Sequence, residues 1–257
     1  NGILANTNVA SNVLIENTEF GHNGYGDGQS HNLYIGNVNS LTFRYNYSHD
    51  ANVGHNLKSR ARLNTISYNR FSSTVPGQPN STASGQPSYE IDLPNAGTSY
   101  VIGNVIEQPS IHQNSNILAY GEEGASNPGK DLYVVNNTFL NDDSSRGNFI
   151  FVGTSVTAPI LMRNNIFSGV GTLTNQVSAI NITNYRSLTP AFVNRASYDL
   201  HPAPGSPAID AGSPPGLSTS GVPLTPVAQY LHVASSEPRP VVRGIDIGAY
   251  EAIGPAD

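Results

Sequence analysis

Cysteine and tryptophan are absent from the 257 residues, and methionine occurs once. Without cysteine there is no disulfide scaffold, no thiol nucleophile and no thiolate-ligated zinc or iron–sulfur site. The compartment stays open on this ground, because large secreted domains can do without disulfides. Charge is scarce as well: 12 Lys or Arg face 18 Asp or Glu, a net of −6, with no basic run. A nucleic-acid or anionic-membrane partner is therefore not expected. No stretch approaches the ~18 apolar residues that a membrane-crossing helix needs. Asn1–Ala5 has neither a basic nor an apolar leader region and runs straight into repeat sequence, so the chain reads as a mature or truncated product. What is plentiful is Asn, at 30 residues, with short runs of Ile, Val, Leu, Phe and Tyr that argue for a folded chain rather than a disordered one.

One pattern recurs six times: a β-rich run, an Asn, then usually an aromatic or Ile. It reads Val13-Leu14-Ile15-Glu16-Asn17, Leu41-Thr42-Phe43-Arg44-Tyr45-Asn46 and Thr65-Ile66-Ser67-Tyr68-Asn69. It continues as Tyr100-Val101-Ile102-Gly103-Asn104, Leu132 to Asn137 and Ile160 to Asn165, with Asn-to-Asn spacings of 29, 23, 35, 33 and 28. Phe71, Ile106, Phe139 and Phe167 each stand two residues beyond the Asn of the last four copies. A shorter strand precedes copies two to six, over 31–36, 55–60, 88–93, 116–121 and 148–153. Helical periodicity is missing and period-two alternation is frequent. Twenty-three residues are too few for a strand–helix–strand crossover but enough for one coil of a parallel β-solenoid. The expected fold is an all-β parallel β-helix of about six coils, with the Asn amides forming a ladder along its axis. The competing architecture, an antiparallel sandwich, would need two-residue hairpins that are scarce here.

Composition changes after Asn184, beyond which 11 of the 18 prolines lie. Proline removes ladder donors, so the expectation is coils over 1–184 and an irregular cap and tail over 185–257 packed on them.

The six Asn-centred rungs, with Ser206-Pro207-Ala208-Ile209-Asp210-Ala211-Gly212 and Asp246-Ile247-Gly248-Ala249-Tyr250-Glu251, resemble secreted bacterial right-handed parallel β-helix proteins of the pectate-lyase-like superfamily. The resemblance covers nearly the whole chain. It implies the fold and an extracellular or cell-surface location, while the superfamily holds lyases, hydrolases, epimerases and non-catalytic adhesins alike. A narrower likeness joins Asn56-Leu57-Lys58-Ser59, Asn64, Asn69 and Phe71 to the Lys-Ser rung of chondroitinase B and alginate lyases. It implies Lys58 as Brønsted base, an assisting Arg and a Ca²⁺ held by acidic residues. The Ser-to-Asn interval is longer here and the Arg-His-Gly that should follow is absent.

Strand alternation points to the same region. With Leu33, Ile35 and Leu57 inward, Tyr34, Asn56, Lys58 and Arg60 point outward, and one coil on so do Glu90 and Asp92. Arg62 extends this row, and His31 and His55 stand at its edge. β-Elimination of a uronic acid polymer needs a base near the α carbon, a cation for the carboxylate and a proton donor for the leaving oxygen. Lys58 would be the base, its pKa lowered by Arg60 and Arg62. Arg60 and Arg62 would clamp the carboxylate, Tyr34 or a His would donate the proton, His31, His55 and Asn56 would bind substrate, and Glu90 with Asp92 would hold Ca²⁺. The same carboxylate pair could serve a glycoside hydrolase. The bland alternative makes Lys58 a surface ion-pair partner worth ~0–1 kcal/mol.

Other features read as structure. Glu122-Glu123 lies in a Gly-rich corner and reads as a solvated turn, with calcium binding as its alternative, and His22, His31, His49 and His55 are scattered without zinc-ligand spacing. Sequons at Asn46, Asn80, Asn136 and Asn181 follow from composition. Two functions stay open: an enzyme on an acidic extracellular polysaccharide, with a lyase favoured, or a non-catalytic solenoid serving as surface, matrix or filament subunit or carbohydrate-binding module. The second would use end-to-end or lateral self-association through open strand edges.

Overall fold

The computed structural model describes residues 1–73, 86–240, 243–252 and 254. Three parallel sheets of seven strands each form a right-handed parallel β-helix of seven coils, one more than the repeats suggest. The first sheet stacks Ile3–Ala5, Leu33–Ile35, Leu57–Ser59, Ile91–Leu93, Asn116–Tyr120, Asn148–Val152 and Thr172–Thr174. The second runs from Asn8–Glu16 to Ile180–Ile182, and the third from Glu19–Gly21 to Tyr185–Ser187.

The corner between the second and third sheets explains the Asn repeat. Asn46 Oδ1 accepts the Thr18 N–H, and Asn69, Asn104, Asn137 and Asn165 each accept the backbone N–H of the preceding rung at 2.9 Å. Asn184 continues the line, accepting from Asn165 at 2.7 Å. Each amide NH₂ also reaches a strand carbonyl, as Asn104 does at Ile66, so the buried corner is satisfied throughout. The first repeat was placed one residue early: Thr18, not Asn17, occupies the rung. Asn17 instead takes the left-handed residue before it (φ 52°), as Tyr45, Tyr68, Gly103, Asn136, Asn164 and Thr183 do in later coils. At Gly103 a Cβ would lie 2.6 Å from the Tyr68 ring, so a side chain there would force that ring to shift.

Two residues past the rung the side chain enters the core in all but the last coil, where Arg186 is exposed, and Phe20, Phe71, Ile106, Phe139 and Phe167 fill one buried column. Phe139 and Phe167 stack at 5.2 Å. Full burial of such a side chain stabilises by roughly 1.5–3 kcal/mol. Ser48 takes the same slot in the second coil and turns it polar, donating to the Asn56 carbonyl. The sequons at Asn46 and Asn136 are fully buried, and the one at Asn80 lies outside the described residues.

Beyond Ser187 the chain carries two short antiparallel pairs and a 3₁₀ turn at Arg195–Ser197. Leu224 and Ala228 pack on Tyr68, Tyr100 and Tyr133 of the second sheet side. Leu200, Tyr230, Ala249 and Tyr250 pack on Tyr47, Val105 and Leu140 of the third. Leu200, Ile247 and Tyr250 are buried anchors, while Tyr198, Ile209 and Ile245 are only half-buried. Against the first sheet stands a different element, the loop 121–131, and that loop completes the site.

Candidate functional site

Register along the first sheet places Tyr34, Lys58, Asp92 and Ala119 in one outward row. Lys58 Nζ lies 2.8 Å from Asp92 Oδ2 and 2.8 Å from Glu123 Oε1. Arg60 spans the far side: its Nε donates to the Tyr34 hydroxyl at 2.7 Å, and its guanidinium also bonds Glu123 and Asn95. Glu123 arrives from the 121–131 loop, which is tied down locally. The Gly121 and Glu123 N–H groups donate to Leu93 and Pro94 carbonyls, and the Asn127 amide donates to those of Arg60, Ala61 and Ala96. The same turn brings Glu122, whose carboxylate accepts the Tyr89 hydroxyl at 2.9 Å. One oxygen from each of Asp92, Glu122 and Glu123 lies within 4.8 Å of the others. The Gly-rich corner, although Glu123 stays exposed, places that carboxylate on Lys58 and the Glu122 carboxylate on the Tyr89 hydroxyl.

Electrostatics divide these groups. Burial raises Asp92 to about 7, with Lys58 opposing that rise, and Asp92 Oδ1 has no hydrogen-bond partner among the described residues. Burial also raises Glu122, against the Tyr89 hydrogen bond. For Glu123 burial pushes up, but the contacts from Lys58 and Arg60 prevail and hold it below the usual range. Lys58 is only 7% exposed; burial would lower its pKa, yet Asp92 and Glu123 more than offset this and raise it. The expectation of a lowered Lys58 is therefore corrected: Arg60 spends its charge on Glu123 rather than repelling the amine. Arg62 is exposed, and none of the cluster's ion pairs includes it.

His31 and His55 are buried rather than at an open edge. They stack at 4.5 Å, with Tyr89 4.9 Å beyond. His31 Nδ1 accepts the His55 N–H and His55 Nδ1 accepts the Tyr89 N–H. Burial lowers both, His31 to about 4 and His55 well below its ordinary value, so both rings are neutral at pH 7. With Nδ1 occupied as acceptor, the His55 proton resides on Nε2, which faces Asp92 Oδ2 at 3.4 Å.

Asn56 and Glu90 leave the predicted row altogether. Each precedes a three-residue strand, and the corner turns its side chain into the interior. Asn56 accepts from Asn32 and donates to Ser73 and to Glu90, forming an internal polar column. Burial raises Glu90 well above the carboxylate range. Glu90 is therefore turned away from Asp92, and the carboxylates that lie near Asp92 are Glu122 and Glu123. Hydrophobic pattern could not reveal them, and the only sequence signal was an acidic pair between glycines. Comparisons with family models, with curated proteins and with solved structures each give no match, so fold and geometry alone carry the functional reading.

Proposed function

We propose that the protein is an extracellular polysaccharide lyase that binds a polyuronate along the outer face of the first sheet and cleaves it by β-elimination. The single observation that carries this reading is the gathering of Lys58 and Asp92 of the outward row with Arg60 and with Glu122 and Glu123 of the loop above it. A parallel β-helix is compatible with a protein acting on polysaccharide, since its stacked strands offer a long regular face. Lys58 takes the proton from the carbon α to the uronate carboxylate, the C–H electrons form the C=C bond, and the glycosidic C–O bond breaks. Tyr34 protonates the leaving oxygen; its own oxygen accepts from Arg60 Nε, which leaves its hydrogen available to donate. Arg60 offers its fork to the substrate carboxylate in exchange for Glu123.

The donor set of Asp92, Glu122 and Glu123 is all carboxylate oxygen, which suits a hard cation such as Ca²⁺. Bound there, Ca²⁺ would neutralise the substrate carboxylate and draw off the two anions that keep Lys58 protonated. Glu123, whose side chain is 42% exposed, is the group that must move for substrate to reach the amine. One observation favours a second reading, glycoside hydrolysis: Asp92 is raised to about 7 while Glu123 is lowered, an acid and base pair in one site. Incubation with alginate, pectate and glycosaminoglycan panels separates the two. Elimination gives a product absorbing in the near ultraviolet, hydrolysis gives reducing ends without it, and neither product from any panel sinks the enzyme reading.

A further inference from the structure

We propose that His22, His49 and Asp50 bind a divalent transition-metal ion of the zinc class, with Glu19 holding the His49 ring from its other nitrogen. The histidines are 27 residues apart in sequence, and the coil brings them together. Gly21 pairs with His49 in the third sheet, so His22 and Asp50 occupy the next position in successive coils. Both take left-handed backbone, φ 57° and 50°, a conformation that His and Asp adopt more readily than most residues. One donor atom from each of the three residues lies within 4.8 Å of the others.

The imidazole of His49 has a seat cut for it. It lies over Gly21, where a Cβ would come 2.4 Å from its Cε1, so any larger residue would displace the ring. Tyr47 stacks on it at 4.2 Å. Its Nδ1 is 2.6 Å from Asp50 Oδ2, its Nε2 is 3.2 Å from Glu19 Oε1, and the His22 ring stands edge-on at 5.4 Å. Asp50 is fixed in turn, its N–H donating to Ser73 Oγ at 2.9 Å. Such a support around a donor set is what orients metal ligands.

Two imidazoles and carboxylate, without thiolate, suit zinc and its neighbours rather than calcium or magnesium. A tetrahedral ion with bonds of about 2.0–2.2 Å wants donors roughly 3.3 Å apart. Rotation of the exposed His22 side chain brings its ring nitrogen in, and loss of the His49–Asp50 hydrogen bond on metal binding lets that 2.6 Å pair open to the same spacing. This site shares no residue with the row around Lys58 and does not depend on the lyase reading.

The test titrates the tag-free full chain, stripped with chelator, with Zn²⁺ alone by calorimetry, and follows the melting temperature alongside. One Zn²⁺ per chain should bind and raise the melting temperature. His22→Ala and Asp50→Asn should each weaken affinity by at least about tenfold, the lower end of what disturbing a metal site costs. His201→Ala, in the tail, should change nothing. No saturable binding by the wild type overturns the proposal, as does unchanged affinity in either ligand variant or an equal loss in His201→Ala.

Discussion

Replacing Asp92 by Asn should stabilise the protein, and the gain should depend on pH. Asp92 is fully buried beside Lys58, and burial raises it from 3.8 to about 7. A carboxyl whose folded pKa exceeds its unfolded pKa favours folding fully below the unfolded value. That contribution is lost as pH rises through the folded value. Between pH 3.8 and 7 the folded state therefore loses about 4 kcal/mol relative to a neutral side chain, at 1.36 kcal/mol per pH unit. The attraction of Lys58 is already contained in that figure, because it opposes the rise. Asn has the shape of the protonated acid and cannot ionise. Asp92→Asn should thus match the wild type near pH 4 and exceed it by a few kcal/mol at pH 8, on the order of 10 °C in melting temperature for a chain of this size. Urea or thermal unfolding at both pH values measures it. Equal destabilisation at both would refute the argument, since it would mean that Asp92 is held ionised by Lys58 as an ordinary structural ion pair.

Three further outcomes follow from the same geometry. Asn104→Ala removes the acceptor for the Asn69 N–H and the donor to Ile66 inside a buried corner, so chemical denaturation should show a loss of at least about 2 kcal/mol. Gly103→Ala forces a Cβ against the Tyr68 ring at φ +68° and should lower stability by about 1–3 kcal/mol, whereas the same change at Gly205, with open space around it, should cost less. Glu123→Gln breaks the contacts to Lys58 and Arg60 at the surface; unfolding should shift by no more than about 1 kcal/mol, while cleavage of polyuronate and its enhancement by Ca²⁺ should fall sharply.

The sequence showed the coil and its ladder because both are local: an Asn, then an apolar residue two positions on, repeats once per coil. It failed at the first rung for an instructive reason. Asn17 is favoured at the left-handed residue before the rung, so an Asn at that site imitates the ladder residue that Thr18 replaces. Alternation does not give the direction of Asn56 and Glu90, because both lie just before strands only three residues long. In the corner the backbone no longer alternates, and both side chains turn inward. Lys58 with Asp92 was readable from register, but Glu122 and Glu123 were not. Glu123 meets Lys58 across 65 residues, through a loop that is set by Asn127 and the carbonyls of Leu93 and Pro94. Arg60 was expected to depress Lys58, and the reversal follows from that one unseen carboxylate.

The most direct test of the lyase reading is the mass of the oligosaccharides released from polyuronate by the wild type and by Lys58→Ala. The account predicts wild-type fragments lighter by one water than hydrolysis products, each with an unsaturated non-reducing end, and none from Lys58→Ala, whose ion-pair partners sit at the surface and in a site that tolerates neutral Asp92. Fragments carrying the added water, or unsaturated fragments formed undiminished by Lys58→Ala, would contradict it.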